Sequence, residues 1–129
     1  MKILFCGTPE FAASILRSLV GSSEHTLVGV LTQPEKARGR GKESSSSPAA
    51  QAAGKAGIPV NTGKPSSPET MEWIRNLAPE VVVVAAYGRI FKKEFLEHPP
   101  QGVLNIHPSL LPKYRGPTPI QQALLNGDK

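Results

Sequence analysis

The sequence predicts an open, mostly parallel α/β sheet with helices on both faces. Strand-like and helix-like apolar periods alternate along the chain, the pattern of strands joined by crossover helices. The run Glu80–Ala86 (EVVVVAA) is apolar on both faces, as an interior parallel strand must be. Gly and Pro punctuate the elements at Gly7, Gly21, Pro34 and Gly57.

Taken in order, Lys2–Cys6 reads as a short buried strand and Gly7 as the turn after it. Thr8 is placed to cap a helix that has Pro9 at its first position. Phe11, Ile15 and Leu19, with Ala12, Leu16 and Val20, form its apolar stripe, and Gly21 ends it. Thr26–Thr32 is a second strand, closed by Pro34. Residues 35–48 read as a polar, basic, flexible loop, too long to be a plain connection in a compact domain. Ala49–Ala56 is a short helix, Ile58–Val60 a weak strand, and Pro68–Leu77 a helix bearing Met71, Trp73, Ile74 and Leu77. After Glu80–Ala86 come a short helix at Lys92–Leu96 and a fifth strand at Gly102–Ile106. A Pro-rich loop, His107–Pro117, and a helix at Pro119–Leu125 complete the reading.

Composition narrows the class. A chain of 129 residues fits one domain, and 39% hydrophobic residues suffice for its core. Cys6 is the only cysteine, which excludes an internal disulfide and a multi-cysteine zinc site. The apolar stretch at the N-terminus is too short for a signal peptide, and Val81–Ala86 is far shorter than a membrane span. A cytoplasmic protein is expected. The net charge of +5 is partly concentrated: Lys36, Arg38, Arg40 and Lys42 fall within seven residues, as a polyanionic partner would require.

In open parallel sheets, ligands bind beyond the carboxyl ends of the strands. Three loops qualify: Gly7–Pro9, Tyr87–Phe91 and His107–Pro117. The first lacks the further glycines of a dinucleotide fingerprint and reads as a tight turn or a site wall. Cys6 reads as a small core hydrophobe. His25 and His98 read as solvated, and their spacing from His107 suggests no metal site. Asn105 and His107 differ from these. They alternate with Ile106 at a strand's carboxyl end and so point to one side. An amide and an imidazolium there can both stabilise an oxyanion on a carbonyl becoming tetrahedral. They can equally well organise the Pro-rich loop, and the residues alone do not decide.

The run NIHPSLLPKYRGPTPIQQALLNGD, residues 105–128, resembles the signature of formyltransferases that use 10-formyltetrahydrofolate. FCGTPEFAA, QPEKARGRGK and VVVVAAYGRIF also fit, in the expected order, and point to the branch that formylates methionyl-tRNA. The resemblance implies a Rossmann-like fold and a catalytic pair, Asn105 and His107. It also implies folate contacts from Ser109, Leu110, Leu111 and Pro112 and from the backbone of Arg89, Ile90 and Phe91. The basic loop, with Arg40 best matched and Lys42 beside it, is similar to the insertion that contacts the tRNA acceptor stem. The Ser44–Ser47 run departs from that pattern.

What the resemblance implies further is direct acyl transfer without a metal, by an enzyme that is cytoplasmic, monomeric and not membrane-bound. The family's third catalytic residue, an Asp, is expected farther along than Lys129. Asp128 belongs to the NGD helix end and is not that residue. The chain is therefore expected to be an N-terminal part of the catalytic domain, cut after about five strands and lacking a C-terminal β-barrel. By itself it is expected to transfer formyl groups negligibly. The alternatives are a 10-formyltetrahydrofolate hydrolase, a sugar-amine formyltransferase module, or a folate-binding domain without activity.

Overall fold

The computed structural model describes residues 1–34 and 46–106. The expected alternation is present throughout them. Strand β1 (Lys2–Gly7) leads to helix α1 (Glu10–Val20), then β2 (Thr26–Leu31), α2 (Pro48–Lys55) and β3 (Val60–Asn61). Helix α3 (Pro68–Leu77), strand β4 (Val81–Ala85), helix α4 (Lys93–Glu97) and strand β5 (Val103–Ile106) follow. The strands form one sheet in the order β3-β2-β1-β4-β5, and every pairing is parallel.

Two-residue alternation sorts the core into two layers. Ile3, Phe5, Val30, Val83 and Ala85 face Ala12, Ala13 and Leu16 of α1 and Ala52 and Ala53 of α2. Leu4, Cys6, Leu31, Val82, Val84 and Val103 face Met71 and Ile74 of α3 and Phe95 of α4. Helices thus cover both sides, as a sheet with long apolar strands requires. They change side where the chain passes from β3 over to β4, so the strand order reverses between β1 and β4. That reversal is the switch point at which an open α/β sheet leaves a crevice.

Local chemistry explains the element ends. Thr8 does not cap α1. Pro9 occupies that position with extended backbone, and no side chain bonds the first turn. The Thr8 hydroxyl instead accepts the Gln33 N–H at 3.2 Å. Helix α2 begins one residue earlier than expected because Ser47, read as loop, caps it by accepting the Ala50 N–H at 3.1 Å. Ser67 does the same for α3 through the Thr70 N–H at 3.2 Å. Strand β3 is only Val60–Asn61, displaced from Ile58–Val60, because pairing with β2 runs Val30 to Val60 and Leu31 to Asn61.

Gly7 shows why β1 ends as it does. A Cβ built there would lie 2.5 Å from the Ala12 Cβ and 2.6 Å from the Ala85 carbonyl oxygen, so α1, β1 and β4 converge on a site without side-chain space. At Gly54, inside α2, a Cβ would meet nothing within 4 Å. The two glycines should respond oppositely to the same substitution. Gly7→Ala should destabilise the fold by about 2 kcal/mol or more through overpacking. Gly54→Ala should stabilise it by about 0.5–1 kcal/mol by lowering the freedom of the unfolded chain. Urea denaturation midpoints of the two variants check the sign of each.

Candidate functional site

The carboxyl ends of β4 and β5 and the loop after β4 enclose a cavity of about 290 Å³. Val84, Ala86, Tyr87, Gly88, Arg89, Phe91, Asn105 and Ile106 line it. Asn105 pairs across the sheet with Val84, which puts it on the face that α3 and α4 cover. It is half-buried. Among the described residues β5 is the last strand on its side of the sheet, and it lies beside the Tyr87–Phe91 loop.

That loop is built on unusual backbone. Ala86 has φ 54° and Gly88 φ 86°, both in the left-handed region. For alanine this conformation costs on the order of 1–2 kcal/mol. An aromatic stack holds the turn from below. The Tyr87 and Phe91 rings lie 5.5 Å apart, and those of Phe91 and Phe95 4.2 Å, all near parallel. Ile90 stands 88% exposed at the loop's tip. Arg89 lines the cavity, and its guanidinium donates to the Gly63 carbonyl at 3.2 Å.

A second polar group lies along the same sheet edge. Thr32 and Ser47 are fully buried and share a hydroxyl hydrogen bond of 2.8 Å. Thr32 Oγ1 also donates to Thr8 Oγ1 at 3.4 Å, and the Ala49 N–H bonds the Thr8 carbonyl at 3.2 Å. Gln33 Nε2 donates to the Tyr87 carbonyl at 2.6 Å. The knot ties the start of α1, the end of β2 and the start of α2 to the loop after β4. Reading the sequence missed Thr32, Gln33 and Ser47. The signal available for Thr32 and Ser47 was a hydroxyl residue on each side of a long loop, at a strand end and a helix start; nothing local marks Gln33.

The remaining expectations divide. Cys6 is wholly buried, and burial pushes its thiol far above the ordinary range, which suits a core residue and not a nucleophile. His25 and His98 are partly exposed, and among the described residues the buried His25 Nδ1 has no hydrogen-bond partner. His25 precedes β2, at the sheet edge opposite the cavity. Among the described residues no cluster of three or more His, Cys, Asp or Glu could hold a metal, and no helix is long and apolar enough to cross a membrane. His107, Ser109, Leu110, Leu111, Pro112, Arg40 and Lys42 lie outside the described residues. A larger cleft of about 420 Å³ lies between α1 and α2, lined by Glu10, Arg17, Gln51 and Lys55 among others. It is formed by the outer helix layer and includes no residue of the sheet's carboxyl edge.

Tyr87 is 2% exposed, and its hydroxyl has no hydrogen-bond partner among the described residues. Burial pushes its pKa up to about 12; the Cys6 thiol adds to this and the Arg89 guanidinium opposes it. The unfolded chain releases the same proton near 10. The stability that comes from keeping the phenol protonated is therefore complete below about pH 10 and is lost as pH rises toward about 12. Tyr87→Phe should flatten that loss, since the group that titrates is removed. Urea midpoints of both proteins at neutral pH and at about pH 11 test this.

Comparison with known proteins agrees with the fold. A glycinamide ribonucleotide transformylase from Symbiobacterium toebii superposes with TM-score 0.63 at 21% identity, covering 98% of this chain and 60% of that one. A phosphoribosylglycinamide formyltransferase from Brucella melitensis gives TM-score 0.59 at 24% identity, covering 98% and 66%. In sequence, the chain is 48% identical over its whole length to a methionyl-tRNA formyltransferase of Kosmotoga olearia, of which it covers 42%. It is 45% identical to that of Thermotoga maritima, with 41% covered. The chain thus spans about two fifths of the length of these relatives. Residues 1–129 match the formyl transferase family, and the chain belongs to it.

Proposed function

We propose that the protein containing this chain transfers a formyl group from 10-formyltetrahydrofolate to the amino group of methionyl-tRNA, in the cytoplasm. What supports the reading is one juxtaposition: Asn105 and the Arg89–Phe91 loop open on a single cavity beside the sheet's switch point. The relatives named for this reaction, at 45–48% identity, supply the substrates.

The cavity fits part of the donor. Ligand pockets usually run from about 300 to 1,000 Å³, so about 290 Å³ takes one ring system and not a whole folate. Apolar walls from Val84, Phe91 and Ile106, with main-chain groups of a fixed loop, suit a flat heterocycle. Bound there, 10-formyltetrahydrofolate supplies the formyl carbon on its N10. The reaction joins the methionyl nitrogen to that carbon, breaks the carbon–N10 bond and leaves the amine's proton on N10.

Within that scheme Asn105 donates its amide N–H to the oxyanion that develops on the formyl oxygen. His107, protonated, donates to the same oxygen. Asn105 is half-buried at the cavity wall, and a donor bound over it would exclude water and strengthen the effect of its dipole. Ser109–Pro112 hold the folate with Arg89–Phe91. Arg40 and Lys42, in the basic loop, contact the acceptor stem of the tRNA.

Two variants of the full-length protein test separate parts of the reading. Asn105→Ala should lower kcat for formylation of methionyl-tRNA about 100- to 1,000-fold, with the KM for folate little changed. A kcat within tenfold of the parent removes Asn105 from the catalytic set. Arg40→Ala should weaken tRNA use and leave folate binding nearly unchanged. The salt dependence of tRNA binding should fall by roughly one unit of log–log slope. An equal loss of folate affinity would sink the tRNA assignment.

A further inference from the structure

Gln33 follows the end of β2, yet its side chain acts on the loop after β4. Strand β1 lies between those two strands, so the side chain crosses the carboxyl end of β1. Its own N–H is tied down by Thr8 Oγ1 at 3.2 Å, and its Nε2 donates to the Tyr87 carbonyl at 2.6 Å. The acceptor is a carbonyl, so the amide must present its NH₂ group there. A Cβ on residue 88 would lie 2.6 Å from Nε2, so a side chain there would push the glutamine amide aside.

The bond fixes more than one atom. In a planar trans peptide the carbonyl and the following N–H point in opposite directions. Holding the Tyr87 carbonyl toward Gln33 therefore aims the Gly88 N–H away from it, and Gly88 is part of the cavity wall. The peptide has reason to rotate, because φ is positive on both sides of Tyr87, at Ala86 and Gly88. Arg89, through its bond to Gly63, braces the next residue and does not act on the Tyr87–Gly88 peptide.

We propose that Gln33 is a positioning residue for donor binding: it orients the Tyr87–Gly88 peptide so that the Arg89–Phe91 loop presents its main chain to the formyl donor's ring. This rests on the donor reading given above. Gln33 does not line the cavity and touches no reacting atom on this account.

The test compares Gln33→Leu and Gln33→Glu in the full-length protein. Leu removes the donor. Glu keeps the shape and sets an acceptor against the Tyr87 carbonyl. Loss of one hydrogen bond should raise the Kd for 10-formyltetrahydrofolate about 5- to 10-fold in Gln33→Leu, and Gln33→Glu should be weaker still. A role in packing alone predicts the reverse order, since Glu is the isostere. The KM for methionyl-tRNA should stay within about threefold. In protein labelled with ¹⁵N-glycine, the Gly88 amide resonance should move in both variants. If Gln33→Glu fails to fold, Gln33→Leu with the Gly88 resonance carries the test. Folate affinity within twofold of the parent, whether or not the Gly88 resonance moves, overturns the proposal. A parent protein that does not bind 10-formyltetrahydrofolate overturns the functional reading, and the proposal with it.

Discussion

The pairing of β1 with β4 is the constraint on which the rest depends. It joins residues 2–7 to residues 81–85, across most of the described chain. Closing so long a loop is entropically costly, and the contact must be repaid by burial on both sides. It is: both apolar layers meet along these two strands, with Phe5 and Val83 on one face and Cys6 and Val84 on the other. The strands run level to their ends, Gly7 beside Ala85, and the lack of a side chain at Gly7 lets α1 start at the same point. From those level ends the two chains pass to opposite faces of the sheet, and the loop after β4 goes on to wall the cavity with β5.

Beyond those ends the physics changes from burial to hydrogen bonding. The side chains of Thr8, Thr32, Gln33 and Ser47 come from two separate connections, β1–α1 and β2–α2, and satisfy one another or nearby main chain. Buried hydroxyls are costly unless paired, and Thr32 and Ser47 are fully paired. A network of this kind has little tolerance for displacement, since moving one member strands the others. It therefore serves as a rigid base for the Tyr87–Phe91 loop, which has no regular secondary structure of its own.

The strands and helices were legible in the sequence because two-residue and 3.6-residue periods are written directly in which residues are apolar. Pro68–Leu77 was read to its exact bounds for that reason, and Cys6 was rightly placed in the core. The ends were less legible, because a cap depends on where a hydroxyl points. Thr8 and Ser47 are both plausible caps by type, and only Ser47 is one, since Thr8 is drawn to Gln33. Of the candidate site, Asn105 and the Tyr87–Phe91 loop could be found from strand ends. Gln33 could not, because its contact is 54 residues away in sequence and nothing local marks it. Strand order was hidden for a related reason: it is set by long-range pairing, and residue type reports burial but not which neighbour provides it.

Magnitudes explain how a strained loop stays in place. The left-handed Ala86 costs on the order of 1–2 kcal/mol, while Gly88 carries no such penalty. Against this stand two aromatic contacts of the Tyr87–Phe91–Phe95 stack, each contributing about 0.5–1.5 kcal/mol beyond burial. The Gln33 bond adds about 1 kcal/mol. The stack alone, at about 1–3 kcal/mol, overlaps the cost, and with the hydrogen bond the sum of about 2–4 kcal/mol covers it. The stack anchors the rings but leaves the peptide between Tyr87 and Gly88 able to turn; the hydrogen bond sets that peptide but could not by itself offset Ala86. Apolar burial beneath the loop thus supplies the energy, and a single amide above it supplies the direction.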